Sequence, residues 1–225
     1  MLTNSEIGSD FHFGGFDTRK VADKSWNEGV GLWLGSGRDA FSLAVQQLEF
    51  PQSTEVLLPA YLCEDVLTPF VEAGATYRFY GCDRRLEIDL GDIARKVGPN
   101  TKALVLIHYF GFVQADVIAY IRKHQLSLII IEDISHALFT RADAGIAWGD
   151  ADVTVASLRK LLPLPDGGYV VFNDAGDLSL LSCRTSFGHL SSVSCRFIGS
   201  LLKAIWLRYP VFSKSVFRRF FQWGE

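Results

Sequence analysis

The stretch "LSLIIIEDISHA", residues 126–137, decides the fold class. Leu126 to Ile131 is a strongly β-branched apolar run that ends abruptly in two carboxylates, Glu132 and Asp133. A run this continuous reads as a strand buried on both faces, as in a parallel sheet covered by helices. Upstream, Lys102 to Ile107 is a second such strand ending at His108, and Asp116 to His124 has the spacing of an amphipathic helix between the two. Further back, Glu55 to Leu58 reads as a short strand closed by Pro59. Asp65 to Glu72 reads as a helix stopped near Gly74, Thr76 to Tyr80 as a strand, and Ile88 to Val97 as a helix. The alternation predicts a doubly wound α/β architecture. Sheets of that kind bind ligands beyond the carboxyl ends of their strands, so residues just after each strand carry the most weight.

Asp133 is such a residue. A carboxylate at the end of a buried strand needs a partner, because an unpaired buried charge is costly. The partner is either a nearby Arg or Lys in a structural pair or a protonated heteroaromatic nitrogen on a ligand. His136, three residues on, either serves the structure or stacks on or hydrogen-bonds to the same ligand.

A second stretch, "ASLRKLLPLPDGG" (residues 156–168), interrupts the apolar run Val153 to Ala156 before Tyr169 to Phe172 resumes it. Lys160 lies between these two strand-like runs, and lysine can form a Schiff base with a carbonyl. Ser157 places a hydroxyl three residues earlier, within reach of a phosphate held near the same aldehyde. A third stretch, Gly35-Ser36-Gly37-Arg38-Asp39-Ala40, opens an apolar-periodic helix over Phe41 to Leu48. A glycine-rich helix start offers free N–H groups and the positive end of the macrodipole, which together bind phosphate, although a plain serine cap looks the same. A phosphate-binding turn, an acid for a pyridinium, a lysine for an aldehyde and a second phosphate contact are together the demands of pyridoxal phosphate.

Composition narrows the alternatives. The chain has 225 residues, 48% hydrophobic and 21% charged, with a net charge of −3, so no basic footprint suggests nucleic acid. The four cysteines, Cys63, Cys82, Cys183 and Cys195, have neither metal-ligand spacing nor disulfide density, so no metal is expected and reduced thiols are. The first residues lack the order of a signal peptide, and no run reaches the roughly 18 apolar residues of a membrane span. A cytoplasmic protein with no membrane span is expected. Arg196 to Trp223 is aromatic and basic, and reads as a helical connector or as a membrane-surface amphipathic helix.

The segments "SGRDAF", "VLLPAYLCEDVL", "EAGATYRFYGCD", "TKALVLIHYFGF", "IEDISHAL" and "ASLRKLLPLPDGGYVV" occur in an order and spacing that resembles the DegT/DnrJ/EryC1/StrS aminotransferases. The resemblance runs from about Trp33 to His189. It implies the three-layer αβα large domain of fold-type-I pyridoxal-phosphate transferases, with a mostly parallel sheet. It implies an N-terminal arm over 1–30, a cofactor-binding large domain over 31–190, and a helical connector over 191–225 toward a C-terminal small domain that the chain stops before. By position, Lys160 is the Schiff-base lysine, Asp133 the partner of the pyridine nitrogen, and Gly37, Arg38 and Asp39 the phosphate-binding turn. His136 falls near the cofactor's phenolic oxygen, and Cys183 to His189 matches an Arg-containing segment ending in Gly.

The sequence departs from that pattern in four places. Val155 and Ser157 stand where the family has a hydroxyl residue and His, Arg38 where Thr is common, and Cys63 where an aromatic residue stacks on the ring. Ser157 is expected to take over a phosphate contact. The resemblance implies a homodimer using pyridoxal 5'-phosphate to move an amino group from an amino acid to a keto-sugar nucleotide in surface-polysaccharide biosynthesis. Two alternatives stand beside it: dehydratase or lyase chemistry on the same scaffold, and a truncated or degenerate non-catalytic domain. Retention of Lys160 favours transamination over dehydration.

Overall fold

The computed structural model describes residues 31–51, 53–124, 126–142, 145–173 and 187–224. The expected N-terminal arm, and the Arg-containing segment up to residue 186, lie outside the described residues. The elements alternate as the apolar runs predict. They are β1 (Gly31–Leu34), α1 (Gly37–Gln47), β2 (Glu55–Pro59), α2 (Glu64–Glu72), β3 (Thr76–Tyr80), α3 (Leu90–Lys96), β4 (Thr101–Ile107) and α4 (Ala115–Lys123). There follow β5 (Ile129–Asp133), a small hairpin of β6 (Arg141–Ala142) and β7 (Gly145–Ile146), β8 (Val153–Ser157), β9 (Gly168–Phe172), α5 (Phe187–Arg208) and α6 (Ser215–Trp223).

Seven strands form one sheet in the order β1-β9-β8-β5-β4-β2-β3. Neighbours from β8 through β5, β4 and β2 to β3 pair in parallel, and β9 runs antiparallel to both β8 and β1. The reason lies in the side chains. Ala103 to Leu106 and Ile130 to Asp133 are buried throughout, as strands covered on both faces must be. Alternation along β2 and β4 then sorts the core into two layers. Val56, Leu58 and Val105 face Phe41, Ala44 and Phe70 of α1 and α2. Leu57, Leu104 and Leu106 face Ile93, Val117 and Ile121 of α3 and α4. Each of these side chains except that of Ala44, fully buried, contributes about 1.5–3 kcal/mol. The result is the expected three-layer αβα arrangement.

Two features add to the sequence reading. β1 is only four residues long and reads as a strand only because β9 pairs with it. Beside the expectation of no membrane span, α5 stands as one candidate among the described residues. Its 22 residues include an 18-residue window of mean hydropathy 1.3, long and apolar enough by length and composition. The expectation required an uninterrupted apolar run, whereas here Ser, Gly and Ala, and the cations Arg196 and Lys203, interrupt the apolar residues.

Candidate active site

The carboxyl edge of the parallel strands gathers the ends of several elements. β5 ends at Asp133, and β8 ends at Ser157 and passes into a 3-10 turn over Leu158–Lys160. β9 starts there at Gly168 because it runs the other way. α1 starts there at Gly37, on Ser36 as its cap. These ends enclose a cavity of about 270 Å³ lined by Gly37, Arg38, Asp39, Asp133, Ser157 and Lys160. Six of the seven sequence-selected residues therefore share one cavity.

At one end stands the start of α1. The Ser36 hydroxyl oxygen accepts the Asp39 N–H at 3.1 Å and its own O–H donates to the Asp39 carboxylate at 2.8 Å. That closes Asp39 into the cap and leaves the amides of Gly37 and Arg38 at the helix start, where the macrodipole favours an anion. The Arg38 guanidinium pairs with Asp65 of α2, which also lines the cavity, with Nε donating at 3.0 Å and a second N–H to the same oxygen. That partner raises the Arg38 pKa above its ordinary value. Both side chains are exposed, so the pair is worth little to stability. Opposite Gly37 lies Ser157. A Cβ on Gly37 would stand 2.8 Å from the Ser157 Cβ, so glycine is what leaves room between helix start and serine.

At the other end is Asp133, only 3% exposed. One of its oxygens accepts the Ser135 N–H at 2.8 Å, and among the described residues no cation pairs with it. Its neighbour Glu132 points to the opposite face of the sheet and is satisfied there. The Thr154 hydroxyl donates to it at 2.6 Å, and His108 Nε2 lies 2.9 Å from its other oxygen. His108 Nδ1 accepts the Gln114 N–H at 3.1 Å, so the proton of the neutral ring sits on Nε2 and is donated to Glu132. The expected Arg or Lys partner of this carboxylate pair is thus a histidine for Glu132 and, among the described residues, no cation for Asp133. His108→Leu should therefore leave a buried carboxylate short of a donor and cost about 3 kcal/mol. Urea unfolding checks this, and the double variant with Glu132→Leu should recover part of the loss.

Lys160, on the 3-10 turn, is exposed and lines the same cavity. His136, the seventh selected residue, does not line the cavity but is near enough to feel the charges of Lys160 and Asp133. Its ring stacks on Phe110 with centroids 5.3 Å apart and planes 14° apart, and its buried Nδ1 has no partner. Burial first, and then the Lys160 charge, push the His136 pKa down against the opposing pull of Asp133, which keeps the imidazole neutral at neutral pH. Cys63, at the cap of α2, lines the cavity where a stacking aromatic was expected. Tyr61 lies instead against Tyr109, centroids 5.6 Å apart.

Sequence reasoning missed two contributors. Ser135 lines the cavity, and its hydroxyl accepts the Ser157 N–H at 2.7 Å, tying the end of β5 to the end of β8. The Asp-x-Ser spacing is the local signal that would have found it. His189 reaches in from α5, its Nε2 3.1 Å from the Asp166 carboxylate on the lysine loop. Nothing in the local pattern reports this, because α5 meets the site only through the tertiary fold.

The residues fit a phosphorylated pyridine aldehyde. Glycine leaves a cradle beside a hydroxyl, and among the described residues no cation pairs with the buried carboxylate. The fold is that of the large domain of α/β pyridoxal-phosphate transferases. Comparison with known proteins agrees: the model of the DegT/DnrJ/EryC1/StrS aminotransferase family matches residues 21–197, and the chain belongs to that family. Its members are pyridoxal-phosphate-dependent aminotransferases. The chain is 30% identical over 152 residues to a UDP-N-acetyl-3-dehydro-alpha-D-glucosamine 3-aminotransferase of Acidithiobacillus ferrooxidans, covering 64% of this chain and 40% of that protein. It is 28% identical to a GDP-perosamine synthase of Vibrio cholerae, covering 62% and 39%. Among solved structures, an aminotransferase of Psychrobacter cryohalolentis superposes with a TM-score of 0.58 at 25% identity, over 66% of this chain and 39% of that one. A Helicobacter pylori aminotransferase involved in the biosynthesis of pseudoaminic acid superposes with a TM-score of 0.58 at 26% identity, over 64% and 40%. The chain therefore spans about 40% of the length of the curated relatives it matches.

Proposed function

We propose that this chain forms the cofactor-binding part of a pyridoxal-phosphate aminotransferase that aminates a keto-sugar carried on a nucleotide, in surface-polysaccharide biosynthesis. One observation carries the reading: a buried Asp133 with no cation partner shares a cavity with Lys160 and with the Gly37–Ser157 cradle. Lys160 Nζ would hold the cofactor's aldehyde, Asp133 would accept a hydrogen bond from its ring nitrogen, and the Ser157 hydroxyl with the Gly37 and Arg38 amides would take its phosphate. When bound, the group supplies an electron sink for the carbon that loses a proton. Lys160 Nζ, as general base and acid, takes that proton and returns it elsewhere. The neutral His136 would lend its orphaned Nδ1 to the same ligand. Residues 31–190 make up the cofactor-binding unit in this reading. A cytoplasmic homodimer using an amino acid donor completes it, and the names of the relatives support the sugar substrate.

The test is a visible absorbance spectrum of the purified chain with pyridoxal phosphate, beside Lys160→Ala. A Schiff-base band that borohydride fixes covalently, and that the variant lacks, is expected. A folded sample with no band would overturn the reading.

A further inference from the structure

Helix α5 is built inside out. Its buried residues are Gly199, Ser200 and Lys203. They continue a stripe begun by Ser192 and Arg196, whose hydroxyl and Nε both donate to the Gly224 carbonyl at the end of α6, the latter at 2.8 Å. A Cβ on Gly199 would meet the Phe220 Cβ at 3.2 Å, so the two helices approach closely along this small and polar face. The opposite stripe, Phe187, Leu190, Phe197, Ile198 and Ile205, is exposed at helical spacing. A helix resting on its own protein's core turns such a stripe inward. Here only 17% of the apolar window is buried. Beyond α5, Tyr209, Val211, Val216 and Trp223 add further exposed apolar surface. The family match ends at residue 197, so most of this hairpin lies outside it.

Charge selects what covers the surface. From Phe187 to Gly224 the chain carries six Lys and Arg and no Asp or Glu; Arg196 and Lys203 lie on the stripe that faces α6, while Arg208, Arg218 and Arg219 are exposed. A second copy of the hairpin would set like charge against like. A sheet of anionic lipid headgroups satisfies both properties: apolar and aromatic side chains enter the headgroup–acyl boundary, and cations meet the phosphates. Arg196 and Lys203, midway along α5, make it costly to place across the bilayer centre, so the helix lies on the surface. We propose that the α5–α6 hairpin is a docking surface for a membrane of anionic lipid. The proposal goes beyond the cofactor reading and does not depend on it, since its test contains no cofactor or substrate.

The test is sedimentation of the full chain with vesicles of phosphatidylcholine alone and of phosphatidylcholine with phosphatidylglycerol. Binding to the anionic vesicles should be stronger by about tenfold or more and should weaken with added salt. Arg208→Glu with Arg219→Glu, both exposed, should bring binding down to the neutral-vesicle level, with an unchanged circular dichroism spectrum as the folding control. Ile205→Ser with Val211→Ser should weaken binding without changing its salt dependence. Equal binding to both vesicles, or indifference to the charge reversal, would overturn the proposal. So would a chain that ignores both kinds of vesicle.

Discussion

On the proposed function, Asp133→Asn is expected to lower the transamination rate by about 10²–10³-fold, the scale set by removing one preorganised electrostatic partner from a water-poor site. Asparagine keeps the size of the side chain and an oxygen that can still accept the Ser135 N–H, so the end of β5 stays in place. What disappears is the negative charge that would hold a ring nitrogen in its protonated form. The variant should still be fixed to the cofactor by borohydride, because Lys160 is untouched. Its cofactor-free form should be no less stable than the parent, since a 3%-exposed carboxylate without a cation partner costs folding energy that asparagine does not. Steady-state kinetics and urea unfolding, run side by side, separate these effects. A rate within a few-fold of the parent would remove Asp133 from its assigned place. A large drop in stability would mean that the carboxylate serves the fold instead.

Gly168→Ala is the second large effect, and it acts on the fold. A Cβ there would stand 2.0 Å from the Ser36 carbonyl oxygen and 2.5 Å from its carbon. Both atoms are backbone, so no side chain can swing aside. The start of β9 and the start of α1 must separate. We expect a loss of about 3 kcal/mol or more, at the upper end for overpacking a rigid site. The phosphate cradle should be lost with it, because the Ser157–Gly168 pairing positions both its walls. Gly98→Ala is the control, as the nearest atom to its added Cβ would be the Thr101 hydroxyl at 3.9 Å. Urea midpoints for the two variants decide the matter. Equal midpoints would show that the close approach is not rigid.

Much of this architecture was legible because the central strands announce themselves. β4 and β5 are buried on both faces, and only a parallel sheet between helix layers explains such runs. The six candidate residues that share the cavity stood out for a related reason: they sit at strand ends or helix starts, where a polar residue interrupts an apolar pattern. What could not be read depends on pairings between distant segments. The partner of Glu132 follows from the register of Ile107 on Asp133, which places His108 just past the end of the neighbouring strand. The Asp65 partner of Arg38 likewise comes from the start of α2, which packs beside α1. β1 is a strand only through β9, and the His189 wall of the cavity arrives on a helix far along the chain. Local periodicity contains none of these facts.

The pairing of β1 with β9 also bears on when the site comes into being. Leu34 opposite Gly168 joins the most widely separated segments in the sheet, and the Gly167 N–H donates to the Gly35 carbonyl at 2.8 Å beside it. Closing so long a loop carries the largest entropic cost of any strand pairing here, so it belongs late in folding. Until it closes, the helix start and the lysine turn are not neighbours. A nascent chain on the ribosome would thus remain blind to its cofactor until β9 has emerged, and uptake of the cofactor would mark the moment the sheet is complete.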